Sequence, residues 1–149
     1  MSEEDRMKQI SDQLEIQKLL TRYCTAIDTK QYDMLDSVFT PDAVIDYTSA
    51  GGPRGPFPEV KEWLKTVLAI FPMTQHVVGN FDITIDGYTA NSRCTFFNPM
   101  GLGREDGTLQ MFFVGGYYND KLTRTSEGWR ISERVEEGSW NYGDFPAQK

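Results

Sequence analysis

Residues 76–87, HVVGNFDITIDG, alternate apolar and polar side chains from Phe81 to Asp86, the period of a strand with one buried face. The same period returns in 88–98 (YTANSRCTFFN), 109–125 (LQMFFVGGYYNDKLTRT) and 128–140 (GWRISERVEEGSW), with turn residues between the runs. Four long strands are therefore predicted for about half of the chain. Gly115-Gly116 falls inside the third of them, where a bulge would let a long strand bend.

Upstream of Pro72 the apolar period is helical. From Ser11 to Asp28 a stripe of Ile16, Leu19, Leu20, Tyr23 and Ile27 predicts an amphipathic helix. A second helix over 30–39 carries Tyr32, Leu35, Val38 and Phe39 on one side and stops at the turn Thr40-Pro41-Asp42, so the two read as a helical hairpin. A short strand, 43–47, leads into TSAGGPRGPFP, where six of eleven residues are Gly or Pro and no regular element is expected. A third helix over 59–71 places Val60, Trp63, Leu64, Val67, Leu68 and Phe71 on one face. Helices followed by strands predict an α+β fold, a strongly curved antiparallel sheet wrapped around the three helices.

At 149 residues the chain has the size of one domain, spanning 1–149. Its 15 Lys and Arg stand against 22 Asp and Glu, a net charge of −7 that disfavours nucleic acid and acidic lipid surfaces as partners. No segment approaches the roughly 18 apolar residues of a membrane span, and MSEEDRMKQI lacks the basic start and apolar run of a signal peptide. The expectation is a soluble cytoplasmic protein. Cys24 and Cys94 lack CxxC spacing and a second histidine, so they read as reduced packing residues and no metal site is predicted. Neither GxxxxGK, GxGxxG opening a helix, GxSxG nor HExxH occurs, and no cofactor is expected.

His76 is the only histidine, and imidazole is the side chain best suited to move protons near neutral pH. Alternation puts it on one face of the first long strand with Val78. Asp28 ends the first helix. As part of Asp-Thr-Lys-Gln it reads as a capping residue for the second helix, or as a carboxylate at the mouth of a cavity. There desolvation and the helix C-terminus would raise its pKa towards base duty. Tyr47 shares a strand face with Ile45 and is a candidate hydrogen-bond donor to a developing oxyanion. Asn98, Tyr118, Trp140 and Asn141, in or beyond strand segments, are candidates to line a pocket, and Tyr23 of the first helix is counted with them.

The order and spacing of IQKLLTRYCTAIDTKQYDMLDSVFTPDAVIDY, TQHVVGN and GGYYNDKLTRTSEGWRISER resemble the SnoaL-like group of the nuclear transport factor 2-like superfamily. Within it the likeness is to the branch of scytalone dehydratase and the lindane dehydrochlorinase. The resemblance implies a cone-shaped fold with a curved, antiparallel or mixed sheet enclosing one apolar pocket, and a homodimer or homotrimer. It also implies that Asp28 orients His76, that His76 removes a proton next to the bond that breaks, and that Tyr47 polarises the substrate or its leaving group. The chain departs from the dehydratase at Ile27, where a tyrosine is expected, at Tyr118, where an asparagine is expected, and in lacking a second histidine. The expected function is a cofactor-independent lyase or isomerase, foremost a dehydratase, acting on a small hydrophobic cyclic molecule. A non-catalytic binder of such a molecule, or a β-subunit-like protein of a ring-hydroxylating oxygenase, is the alternative.

Overall fold

The computed structural model describes residues 1–144. Its first helix, α1, spans Glu3–Asp28 and so begins well before the apolar stripe. The Ser2 hydroxyl accepts from the Asp5 amide at 3.0 Å while the Asp5 carboxylate accepts from the Ser2 amide at 3.2 Å. This capping box, with Glu3, Glu4 and Asp5 facing the positive end of the helix dipole, starts the helix without any buried face. All five residues of the predicted stripe are buried. Asp12, also buried, pairs with Arg124 and accepts from the Trp129 indole at 3.2 Å, and Glu15 accepts from the Trp129 amide at 3.0 Å. The middle of α1 is thereby tied to the hairpin between the last two strands.

The predicted second helix is only a 3-10 turn, Tyr32–Ser37, whose first residue is preceded by no side-chain cap. Phe39 already belongs to the strand β1, Phe39–Asp46, because Val38 and Phe39 engage Ile131 of the last strand and this pairing overrides helical periodicity. Thr40-Pro41-Asp42 is not a turn but the irregular entry of β1, where the register shifts between Phe39 and Val44 and a proline costs no ladder bond. The Gly/Pro-rich stretch is also more ordered than expected. It holds a 3-10 turn, Thr48–Ala50, and a short edge strand β2, Arg54–Pro56, and its end already belongs to α2, Phe57–Val67. Proline is tolerated on an edge and in a first helical turn, which is where Pro56 and Pro58 sit.

The remaining strands are β3 (Met73–Thr74), β4 (Val77–Asp86), β5 (Thr89–Gly103), β6 (Leu109–Thr125) and β7 (Gly128–Tyr142). The sheet runs β2-β1-β7-β6-β5-β3, with β4 also on β5, and only β1 and β7 pair in parallel. This mixed, curved and unclosed sheet wraps the N-terminal helices. The expected bulge is present, since the β6–β7 register shifts between Gly115 and Gly116. Gly115 is required there: a β-carbon would stand 2.2 Å from the Trp140 indole nitrogen that crosses it.

Beneath the helices lies a fully buried ion pair. Arg134 of β7 donates through Nε and Nη2 to both carboxylate oxygens of Asp120 on β6, each at 2.8 Å. Its guanidinium stacks 4.0 Å from the Tyr118 ring centre and 4.2 Å from that of Tyr23. Removing one partner leaves the other charge stranded in a low dielectric. Asp120→Asn is therefore expected to lower unfolding free energy by about 3–5 kcal/mol in urea titrations, with the Asp120→Leu/Arg134→Met double variant recovering much of the loss.

Candidate active site

Asp28 is the last residue of α1, and His76 lies in the two-residue break between β3 and β4. The pairs Met73↔Gly101, Thr74↔Met100 and Val77↔Phe97 share one register, which sets His76 opposite Asn98 although no ladder bond forms there. The Gln75 amide donates to the Pro99 carbonyl at 3.0 Å, but Pro99 has no N–H to return, and the ladder lapses there. The His76 amide donates to Asp28 Oδ2 at 2.7 Å, while the Thr74 hydroxyl donates to Oδ1 at 2.9 Å and His76 Nδ1 lies 2.6 Å from the same oxygen. The His76 amide faces away from β5 at this non-hydrogen-bonded position, and Asp28 collects it. Asp28 caps nothing: the 3-10 turn that follows has Gln31 at its N-cap position.

Burial of Asp28 acts to raise its pKa, but the hydrogen bonds and charge of His76 and the Thr74 hydroxyl outweigh it, and the net direction is down from 3.8. The expectation of a raised pKa and base duty for Asp28 is corrected accordingly. An ionised carboxylate only accepts, so Nδ1 of His76 is the donor of this contact, which fixes the tautomer of the neutral imidazole and the orientation of the ring.

The imidazole, Tyr23, Tyr47, Phe96, Asn98 and Tyr118 share the wall of a cavity of about 1040 Å³. Tyr23 and Tyr47 touch hydroxyl to hydroxyl at 2.6 Å, and the Tyr23 ring stands edge-on to both His76 and Tyr118. Burial pushes the Tyr47 phenol up to about 12, and Tyr23 and Tyr118 go well above their ordinary value, also chiefly by burial. All three are neutral donors at physiological pH. Whichever hydroxyl of the Tyr23–Tyr47 pair accepts keeps its own proton for a ligand. Asn98 is buried and its Oδ1 has no partner within the described protein. Trp140 and Asn141 border the cavity at its β7 end, where the Trp140 ring stacks on Phe97.

Two residues of this region escape the sequence pattern, Arg134 and Glu136. Trp129 and Ile131 face inward, so alternation would aim Glu133 and Val135 inward as well. The β6–β7 register shifts between Leu122↔Ile131 and Lys121↔Glu133, and this second bulge turns Arg134 and Glu136 to the inside. Val135 is left 37% exposed as a result. Burial raises Glu136 to about 7 against the opposing pull of Arg134 and Ser49. Cys24 and Cys94 are free and buried, and burial holds their thiols at about 12 and about 11, too high for nucleophilic duty.

The SnoaL-like domain family matches residues 8–135. The chain belongs to that family. This SnoaL-like chain is 50% identical over 128 residues to an uncharacterised protein of Mycobacterium tuberculosis, covering 86% of each. Among solved structures, a candidate aromatic ring hydroxylase from Novosphingobium aromaticivorans is 29% identical with a TM-score of 0.80, over 91% of this chain and 94% of the other. A candidate scytalone dehydratase from the same organism superposes with a TM-score of 0.81 at 17% identity, covering 92% and 90%. A hexachlorocyclohexane dehydrochlorinase, LinA type 2, does so at 0.77 and 18%, covering 99% and 97%. The last two likenesses show the fold of this SnoaL-like chain and nothing finer. No helix among its described residues is long and apolar enough to cross a membrane.

Because the folded-state pKa of Asp28 lies below 3.8, its ionised form stabilises the fold fully above that pH and progressively less as pH falls through the folded-state value. Asp28→Asn is expected to cost about 1.5–3 kcal/mol at neutral pH. The gap between wild type and variant should close in acid, which thermal melts recorded from neutral pH down to about pH 2 would measure.

Proposed function

We propose that the chain is a cofactor-independent lyase that eliminates water from a small hydrophobic cyclic substrate, with isomerisation as the sibling outcome of the same proton abstraction. The observation that carries this reading is the Asp28–His76 pair, joined at 2.6 Å on the wall of the cavity. His76 Nε2 takes a proton from a carbon next to a carbonyl, and Asp28 stabilises the imidazolium that forms. The Tyr23–Tyr47 pair donates to the carbonyl oxygen as negative charge gathers there. The Arg134 guanidinium behind the rings adds a fixed positive field.

The test is turnover of a panel of cyclic and aryl β-hydroxy ketones, followed by the absorbance of the conjugated product. His76→Gln and Asp28→Asn should each lower kcat/KM by about 10²–10⁴-fold while circular dichroism stays that of the wild type. Full activity of His76→Gln on a substrate the wild type turns over would end this reading.

The likeness to a candidate aromatic ring hydroxylase favours a second reading, a β-subunit-like partner of an oxygenase. Copurification with a large iron-containing chain supports that reading, whereas stoichiometric binding of a ligand returned unchanged supports a plain binding protein. Self-association, in a dimer or trimer, belongs to either proposal. It is favoured by the stacked row of Phe97, Phe113, Trp140 and Tyr142, three of which are exposed. Phe97→Lys is expected to shift the sedimentation coefficient to that of a monomer.

A further inference from the structure

Two carboxylates that line the cavity are not used by the mechanism above, the exposed Asp144 and the partly buried Glu136. Glu136 lines the same wall as His76 and pairs across the β6–β7 ladder with Tyr118. The next pair along that face is Gly116↔Gly138, over which the Phe96 ring and the Ser49 side chain lie. Its backbone is held in place: the Ser49 hydroxyl donates to the Glu136 carbonyl at 2.9 Å and accepts from the Gly138 amide at 3.1 Å. Its electrostatic neighbours are Arg134 on its own strand, Tyr118 on β6, and Tyr47 and Ser49 at the turn after β1. Arg134 is already engaged by both oxygens of Asp120 and makes no ion pair with Glu136.

We propose that Glu136 is the proton donor to the departing group, so that the cavity works with a base at His76 and an acid at Glu136 and takes substrates whose leaving group is hydroxyl. This rests on the elimination reading above and names its substrate class. His76 Nε2 takes the carbon-bound proton, and the electron pair left behind forms the new C=C bond. The C–O bond breaks, and its oxygen takes the proton of Glu136 and leaves as water. The imidazolium and carboxylate that remain return to the starting state when one proton passes from the first to the second through solvent. Burial keeps Glu136 near half-protonated at about pH 7, whereas an ordinary glutamate would have no proton to give there. A hydroxyl requires such a donor. A halide or a nitrophenolate does not.

The experiment compares two probes on one skeleton, a β-hydroxy ketone carrying a phenyl ring at the hydroxyl carbon and its para-nitrophenoxy counterpart, both of which yield benzylideneacetone. Glu136→Gln should lower kcat/KM for the hydroxyl probe by about 10²–10³-fold and for the nitrophenoxy probe by less than about 3-fold. The fall in wild-type activity on the hydroxyl probe above pH of about 7 should vanish in the variant. His76→Gln should lose both reactions. Equal losses on the two probes in Glu136→Gln, or no loss on the hydroxyl probe, would overturn the assignment. If the wild type turns over neither probe, the elimination reading fails for this skeleton, and the assignment is decided by carbon-13 titration of labelled glutamate carboxyls. In that titration the signal missing from Glu136→Gln supports the proposal with a midpoint near 7 and overturns it with one below about 5.

Discussion

The Asp28 carboxylate gathers three donors from a segment almost fifty residues away, and much of the architecture can be followed from that point. Two of the donors are the backbone amide and Nδ1 of His76, and the third is the Thr74 hydroxyl. Together they fasten the end of α1 to the edge of the sheet formed by β3 and β4. The ladder at this edge lapses because Pro99 has no N–H to return to Gln75, and the His76 amide faces away from β5, so Asp28 collects it without displacing a ladder bond. Its three hydrogen bonds run to an ionised group, each stronger than a neutral one. Fixing the tautomer of the imidazole follows from the same contact, so the structural fastening and the chemical poise of His76 have one origin.

The parts of the fold that were legible in the sequence are those where a single periodicity runs undisturbed. The stripe of α1 and the four long strands are of this kind, whereas the pairing of Asp28 with His76 is implied by the family resemblance and by no periodicity. The segment 30–39 misled because Leu35, Val38 and Phe39 satisfy a helical stripe and are buried, but in a 3-10 turn and a strand. Burial without regular pairing carries no period that distinguishes these. Arg134 and Glu136 were hidden for a different reason. A bulge inserts one residue, and every side chain after it changes face, so a run that reads as solvated in GWRISERVEEGSW becomes the inner wall. The glycines of β6 announce the other bulge; nothing comparable marks this one.

The three carboxylates of this interior occupy three environments. Asp28 has partners that prefer it charged, Asp120 is matched oxygen for nitrogen by Arg134, and at Glu136 burial outweighs the pull of Arg134 and Ser49, so that it rises to about 7. Opposite shifts in groups of one chemical type separate an acid from an orienting anion, which is how one cavity can hold both ends of a proton transfer at neutral pH.

A chain of net charge −7 would be expected to repel anions and to favour cations in any cleft, but the cavity does not inherit the sign of the surface. Arg134 cancels Asp120, and the oxygens of Asp28 are occupied by donors. Three tyrosines remain un-ionised far above neutrality. What such a space admits is a neutral, largely apolar molecule with an oxygen for the tyrosine pair. In the proposed elimination, charge develops on that molecule as the imidazole takes its proton, against a buried guanidinium already in position. A single histidine suffices for that reading because Asp28 fixes its orientation and the tyrosines around it are held neutral.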